Sequence, residues 1–375
     1  MNSISLCMIV KNEETTLQRC LESVAGIPDE IVIVDTGSDD STKAIAGEFT
    51  SRVVDFDWVD DFSAARNYAF AQATTEWIMW LDADDILLPD DRTKLLRLKD
   101  TLSADIDAVS TLYHTAFDES GNVLQTSRLL RLVRRSKNFT WSGVVHETLR
   151  SEQEFRYLNS DIVVTHKKPA GRSEAEPSRR NLQIYEKQLS AGRELGPADV
   201  LHYARELQKN GEFAAAIPQY RQFLEWTGAD LDVALLALHK LATCYALVGD
   251  LDKEWECTLK SLELDVPRPE FSCRFAERFL NRNQFRQAIF WYELALQDPS
   301  IYESDAAIEN YPFKTWLPHK QLGLCYYQIG DHQRSLHHNQ LALQYLPGDP
   351  DIATNILFLE RRINESAGKG AGSGA

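Results

Sequence analysis

Glu76-Trp77-Ile78-Met79-Trp80-Leu81-Asp82-Ala83-Asp84-Asp85 joins an unbroken apolar, aromatic run to three carboxylates within four residues. The run reads as a strand buried on both faces. Like charges crowded at the tip of a buried strand do nothing for stability. In open α/β sheets, ligands bind beyond the carboxyl ends of the strands. Asp82 and Asp84 flank Ala83, so an extended backbone points both side chains the same way. Two hard oxygen ligands on one side suit Mg2+ or Mn2+ shared with a phosphate. The plainer reading of the same residues is an acidic turn or a helix cap.

Upstream, short apolar strands alternate with helical stretches. Ile4 to Val10 is a strand, and Lys11-Asn12-Glu13-Glu14 leads into a helix carrying Leu17, Cys20, Leu21 and Val24. Glu30 to Val34 is a second strand, ending in Asp35-Thr36-Gly37-Ser38-Asp39-Asp40-Ser41-Thr42. A third strand covers 52–56, and Asp61 starts a helix that holds Ala65-Arg66-Asn67. Such units imply a parallel sheet with right-handed crossovers. The strand ends at Asn12, Asp35 and Asp82 should therefore line one crevice.

Downstream the pattern turns antiparallel. Strands are expected over 106–117, 129–133 and 162–164, the last ending at His166, with a hairpin turn at 118–122. The basic group Arg128, Arg131, Arg134, Arg135 and Lys137 reads as a solvated hairpin face, or as a screen for a diphosphate or an anionic acceptor. Residues 167–178 are polar and carry Pro169, Gly171 and Pro177, a linker composition. A helix follows over 179–195.

From residue 199 the period is helical throughout. Leu322-Gly323, Tyr326, Gly330, Ala342 and Pro347 recur as Leu241-Ala242, Tyr245, Gly249 and Pro267. Weaker copies run through Ala204, Gly211, Ala216 and Tyr220, and through Ala276, Phe279, Ala288, Tyr292, Ala295 and Pro299. These offsets resemble the tetratricopeptide repeat, in which small residues let paired helices approach closely. Residues 300–318 read as an insertion. His337 and His338 point apart on a helix and read as solvated. The Gly-rich tail, residues 364–375, cannot bury a core and is expected to be disordered.

The chain carries 56 acidic and 40 basic residues, a formal net charge of -16. That balance argues against a sequence-independent nucleic-acid binder and against broad adsorption to anionic membranes. Six cysteines without a C-x-x-C pair read as buried free thiols in a reducing compartment. No apolar run is long enough for a signal segment or a membrane span, so a cytoplasmic protein is expected.

Together, Asp35 to Thr42, Ala65-Arg66-Asn67, Leu81-Asp82-Ala83-Asp84-Asp85 and Trp141-Ser142-Gly143-Val144-Val145-His146-Glu147 resemble family 2 glycosyltransferases of the GT-A fold. The likeness covers residues 1–166. Joined to the helical repeats, it resembles bacterial enzymes that glycosylate peptides or proteins, including the S-glycosyltransferases of glycopeptide bacteriocins. The chain lacks the Gln-x-x-Arg-Trp motif and the membrane helix expected of a processive polysaccharide synthase. The expected architecture is thus an α/β GT-A domain with a Rossmann-like mixed sheet (1–166). A linker and connecting helix follow (167–198), then an all-α tetratricopeptide solenoid (199–363).

The resemblance implies a metal-dependent, inverting transfer from a UDP-sugar, with Mn2+ or Mg2+ as cofactor and a peptide or protein as acceptor. It assigns Asp35 to the uracil or ribose, with Asp39, Asn12, Arg66, Asn67 and Asp82 on the donor side. Asp82, Asp84 and His166 become metal ligands, with Asp85 behind them. Glu147 is the expected base, and beside it His146 is open to the roles of base, phosphate contact or metal ligand. Plainer readings stand beside these: a turn-forming Asp35, a surface Arg66, a helix-start Glu147 and packed histidines. The repeats would dock the acceptor or pair two chains in a homodimer. The alternatives are a transferase for a lipid-linked or lipopolysaccharide-core sugar, and a repeat scaffold that binds nucleotide-sugar without turnover. A nucleotidyltransferase would need a Gly-rich triphosphate loop that the chain does not show.

Overall fold

The computed structural model describes residues 2–117, 123–167, 175–297 and 311–371. It comprises two compact units, Met1–Glu212 and Phe213–Ala375.

The first unit opens with β1 (Ile4–Val10), α1 (Leu17–Ser23), β2 (Glu30–Asp35), α2 (Thr42–Phe49), β3 (Val53–Asp55), α3 (Phe62–Ala71) and β4 (Trp77–Trp80). All four strands run parallel, in the order β3-β2-β1-β4. Asp61 caps α3 by accepting from the Ala64 N–H at 3.0 Å. The central strand is buried on both faces, as its composition predicts. Trp77 and Met79 join the core formed with Leu6, Met8 and α1, while Ile78 and Trp80 join Cys7, Val34 and Phe70 on the other side.

Beyond β4 come β5 (Asp85–Leu87), α4 (Pro89–Thr101), β6 (Ala108–Phe117), β7 (Val123–Arg134), β8 (Thr140–Ser142), β9 (Thr148–Arg150) and β10 (Tyr157–His166). The sheet continues β4-β7-β6-β10-β5, with β7 antiparallel to β4 and β6, and β10 parallel to β6. This is the mixed α/β sheet of GT-A type. β7 and β10 are longer than the sequence pattern suggests, and the hairpin turn at 118–122 lies outside the described residues. The three-residue β5, too short to show a period, pairs antiparallel with β10 and sets His166 opposite Asp85.

Helices α5 (Ala175–Ser190) and α6 (Pro197–Lys209) also belong to the first unit. The sequence reading treated this stretch as linker, connecting helix and first repeat helix. Instead Ile184 and Tyr185 of α5 pack with Val144 and Val145 in one buried cluster. Residues 168–174, most of the expected linker, lie outside the described residues.

The second unit holds α7 (Phe213–Glu225), α8 (Leu231–Leu247), α9 (Leu251–Leu264), α10 (Pro269–Leu280), α11 (Phe285–Ala295), α12 (Tyr311–Lys314), α13 (Trp316–Gln328), α14 (His332–Tyr345) and α15 (Pro350–Ala371). Its corners explain the repeat. Gly249 and Gly330 take left-handed φ of 85° and 82°, ending α8 and α13. The next residue then caps the following helix: Asp250 accepts from the Lys253 N–H, and Asp331 from the Arg334 N–H. Ala242, Ala276, Ala288 and Ala342 are wholly buried. The weak copy built on Ala204 and Ala216 falls on α6 and α7, in different units. The tail expected to be disordered continues α15 to Ala371, since each added residue extends an existing helix at little cost. His338 is not solvated: it stacks on Tyr326 and meets His319 at 3.0 Å between Nδ1 atoms. All six cysteines are buried and free. Among the described residues no helix is long and apolar enough to cross a membrane.

A methyl group at Gly323 would fall 2.4 Å from Asn339 Nδ2. Asn339 is buried and held by the Ser335 carbonyl at 2.8 Å, so it cannot swing away. Overpacking should outweigh the helix propensity gained, and Gly323→Ala is expected to lose about 1–2 kcal/mol. A fall in the urea midpoint of the second unit's transition checks this.

Candidate active site

The acidic stretch after β4 is a turn, not an extended tip, so Asp82 and Asp84 do not share one side. Asp82 turns toward α3, where its Oδ1 accepts from Arg66 Nη2 at 2.7 Å. Asp84 turns toward β10, its Oδ1 lying 3.3 Å from His166 Nδ1. Asp85 is wholly buried beneath them. Its Oδ2 accepts from the Asp82 N–H at 3.0 Å and lies 3.0 Å from Arg131 Nη1; its Oδ1 accepts from the Tyr113 hydroxyl at 2.9 Å. Asp84, Asp85 and His166 each bring a ligand atom within 4.8 Å of the others. Two carboxylates and an imidazole make a donor set for Mn2+ or Mg2+, and Asp82 stands outside it. Burial opposes the charge on His166, but Asp84 and Asp85 outweigh it and raise its pKa to about 9.

Arg66 lies at the centre of the site. Its Nε donates to Glu147 Oε1 at 2.5 Å while Nη2 holds Asp82. Trp80 and Trp141 flank the guanidinium, each with its ring centroid 4.9 Å away. Burial disfavours the charge, yet Asp82 and Glu147 outweigh it and hold the pKa well above the ordinary arginine value. Arg66 is thus not a surface residue, and two of its three nitrogens are engaged by carboxylates. Asn67 is engaged at both ends with the Trp141 backbone, donating at 2.9 Å and accepting at 2.8 Å. Both bonds clamp α3 to β8.

At the end of β2, Asp35 is wholly buried. Its Oδ1 accepts from the Gly37 and Ser38 N–H groups, both at 2.9 Å, while Oδ2 has no protein partner. Asn12, with φ of 54°, ties the neighbouring loop: its N–H donates to Ser38 Oγ and its Oδ1 accepts from the Asp39 N–H, both at 3.0 Å. Asp39 itself is exposed.

The 143–147 loop is held from three sides. Ser63 donates to the Gly143 carbonyl at 2.5 Å, the Phe62 N–H to Val144 at 3.0 Å, and Tyr185 to Val145 at 3.2 Å. His146, with φ of 55°, meets Glu206 Oε1 through Nε2 at 2.7 Å.

Sequence reading missed Arg131, Tyr113 and Glu206. Arg131, expected on a solvated face, is only 1% exposed and stacks under Trp80 with its guanidinium 3.7 Å from the ring centroid. The β6–β7 register slips there, Leu132 facing Val109 and Leu130 facing Ser110, so Arg131 is an extra residue that a bulge turns inward. Its unusual place in an otherwise apolar Leu129 to Val133 run was the available signal. Tyr113 and Glu206 left none.

Comparison with known proteins identifies the family. The pattern of glycosyl transferase family 2 matches residues 5–152. A TPR repeat-containing protein of Synechococcus elongatus is 32% identical over 306 residues, covering 80% of this chain and 67% of that one. The chain belongs to glycosyl transferase family 2, with tetratricopeptide-type repeats following the transferase domain. The SPbeta prophage-derived glycosyltransferase SunS of Bacillus subtilis is 28% identical over 212 residues, covering 55% of this chain and 49% of its own length. The chain thus spans two thirds of the first relative and about half of the second. Among solved structures, glucosyl-3-phosphoglycerate synthase from Mycobacterium tuberculosis aligns with 50% of this chain and 78% of its own at TM-score 0.34 and 14% identity.

Arg66→Ala would leave Glu147, 10% exposed, without its cation and would take from Asp82 one of its partners; it is expected to destabilise the first unit, read as a lower denaturant midpoint. Glu206 supplies a pH dependence. Burial works against its charge, but His146, Lys209 and Ser178 hold its pKa near about 2, below the ordinary 4.5. A depressed carboxylate contributes stability that is complete above its unfolded pKa and lost as pH falls through the folded one. The first unit should weaken between pH 4.5 and 2, and Glu206→Gln should flatten that slope in acid-unfolding curves.

Proposed function

We propose that this glycosyltransferase moves a sugar from a UDP-sugar to a peptide or protein in a metal-dependent, inverting reaction. The observation that carries the reading is the Asp84–Asp85–His166 cluster at the carboxyl edge of the parallel strands. Asp84 and His166 would hold the cation and Asp85, already engaged by Tyr113 and Arg131, would orient them. When bound, the cation neutralises charge on the departing diphosphate. The donor's base and ribose are assigned to the end of β2. The buried, unpartnered Oδ2 of Asp35 suits a uracil N–H or a ribose hydroxyl, since a buried acceptor needs a donor. Arg66 fixes Asp82 beside the diphosphate and Glu147 on the acceptor side.

The acceptor's proton is assigned to the 146–147 pair, which Arg66 links through Glu147 to Asp82. A peptide or protein acceptor is supported by the resemblance to peptide-modifying enzymes and by the repeat unit. That unit has open grooves of about 380 Å³, lined by Arg221, Tyr245 and Lys253, and about 510 Å³, lined by Tyr327, Asn339 and Phe358. Helical repeats characteristically present such surfaces to extended chains.

Incubation of the full chain with a panel of UDP-sugars and Mn2+ should release UDP from one of them. Chelation or Asp84→Ala should abolish that release. Release that ignores both would contradict the metal-dependent reading.

A further inference from the structure

The observations reach furthest at the contact between the 143–147 loop and α6. His146 is a non-glycine residue with φ of 55°. Such backbone is strained and persists where the surroundings impose it, often at functional sites. Here the surroundings impose it through bonds to Gly143, Val144 and Val145 on one side and Glu206 on the other.

The ring is 35% exposed, whereas the Glu206 side chain it meets is wholly buried. A buried carboxylate accepts and cannot donate, so the neutral ring must carry its proton on Nε2. Nδ1 is left with the free lone pair. Glu206 is itself held: Ser178 donates to its Oε2 at 2.7 Å, and Lys209 Nζ reaches Oε1 at 3.2 Å. His202 stacks on the His146 ring at 4.7 Å between centroids; burial first, then His146 and Arg205, lowers its pKa to about 3, so it adds no positive charge. Around the pair stand Glu147, tied to Arg66, and Tyr185, whose hydroxyl senses Asp199, Glu206, Glu147 and Arg193.

We infer that His146 Nδ1 is the base that deprotonates the acceptor, and that Glu206 on α6 is its positioning residue, fixing the tautomer and stabilising the imidazolium that forms. This rests on the transferase reading and deepens it. In the step, the acceptor X–H gives its proton to Nδ1. The X lone pair forms the bond to the anomeric carbon. The bond from that carbon to the diphosphate oxygen breaks, and its electron pair leaves with UDP. Glu147, with Oε1 on Arg66, serves as counter-ion rather than base. The logic is that of a carboxylate-backed imidazole in other group-transfer enzymes.

The test uses the full chain with Mn2+ and the UDP-sugar it turns over, water serving as acceptor. Glu206→Gln keeps an oxygen to accept the Nε2 proton but removes the charge, so a mere clamp survives it. The assignment expects kcat to fall by about tenfold or more with donor KM nearly unchanged. It also expects the acid limb of the kcat–pH profile to move to lower pH, and Glu206→Asp to restore part of both. His146→Asn should fall at least as far, and the double variant no further, because the two residues act as one unit. Wild-type kcat and an unmoved acid limb in Glu206→Gln, or losses that simply add in the double variant, would overturn the assignment. Should Glu206→Gln not fold, an unchanged kcat in His146→Asn overturns it instead. Absence of turnover in the wild-type chain strikes the transferase reading itself, a result distinct from any of these.

Discussion

One buried cation ties the two halves of the site together. Arg66 bonds Asp82 on the strand side and Glu147 on the loop side, between two tryptophan faces. A guanidinium can do this because its planar fork reaches two carboxylates at once and stacks well on aromatic rings. The pair is mutually dependent. Without Arg66, Asp82 and Glu147 would lose the cation they share. Without them, a buried guanidinium would be untenable. The position of Asp82 therefore fixes the entry to the acidic turn, and the position of Glu147 fixes the loop that carries His146.

A second cation repeats the scheme one layer down. Arg131 lies against Trp80 on the side of the acidic turn and balances Asp85, while Tyr113 supplies the other hydrogen bond. The three carboxylates after β4 thus have three different surroundings. Asp82 pairs with Arg66 of α3, Asp85 with Arg131 and Tyr113 in the sheet interior, and Asp84 with His166 of β10.

The sheet was legible because β4 is apolar at every position and β1 and β2 repeat its character. The donor edge followed from topology, since parallel strands bring their carboxyl ends together. Which carboxylate faces which partner was not legible: alternation across Ala83 assumed an extended backbone, and the chain turns there. Arg131 was misplaced because a bulge, invisible in the sequence pattern, reverses the side it faces. Helices α5 and α6 carry the same helical period as the repeats, so periodicity could not show that Tyr185 and Glu206 complete the first unit. The His146–Glu206 contact joins residues sixty positions apart, and no local pattern encodes it.

The account depends on a cation held by Asp84 and His166, joined through Arg66 to the acceptor loop. Anomalous diffraction from crystals of the full chain grown with UDP and Mn2+ tests this most directly. The account predicts a manganese peak within bonding distance of Asp84 and His166, diphosphate oxygens on its open side, and Arg66 still bridging Asp82 and Glu147. A manganese peak away from both ligands, or UDP bound elsewhere than the carboxyl edge of the sheet, would contradict it.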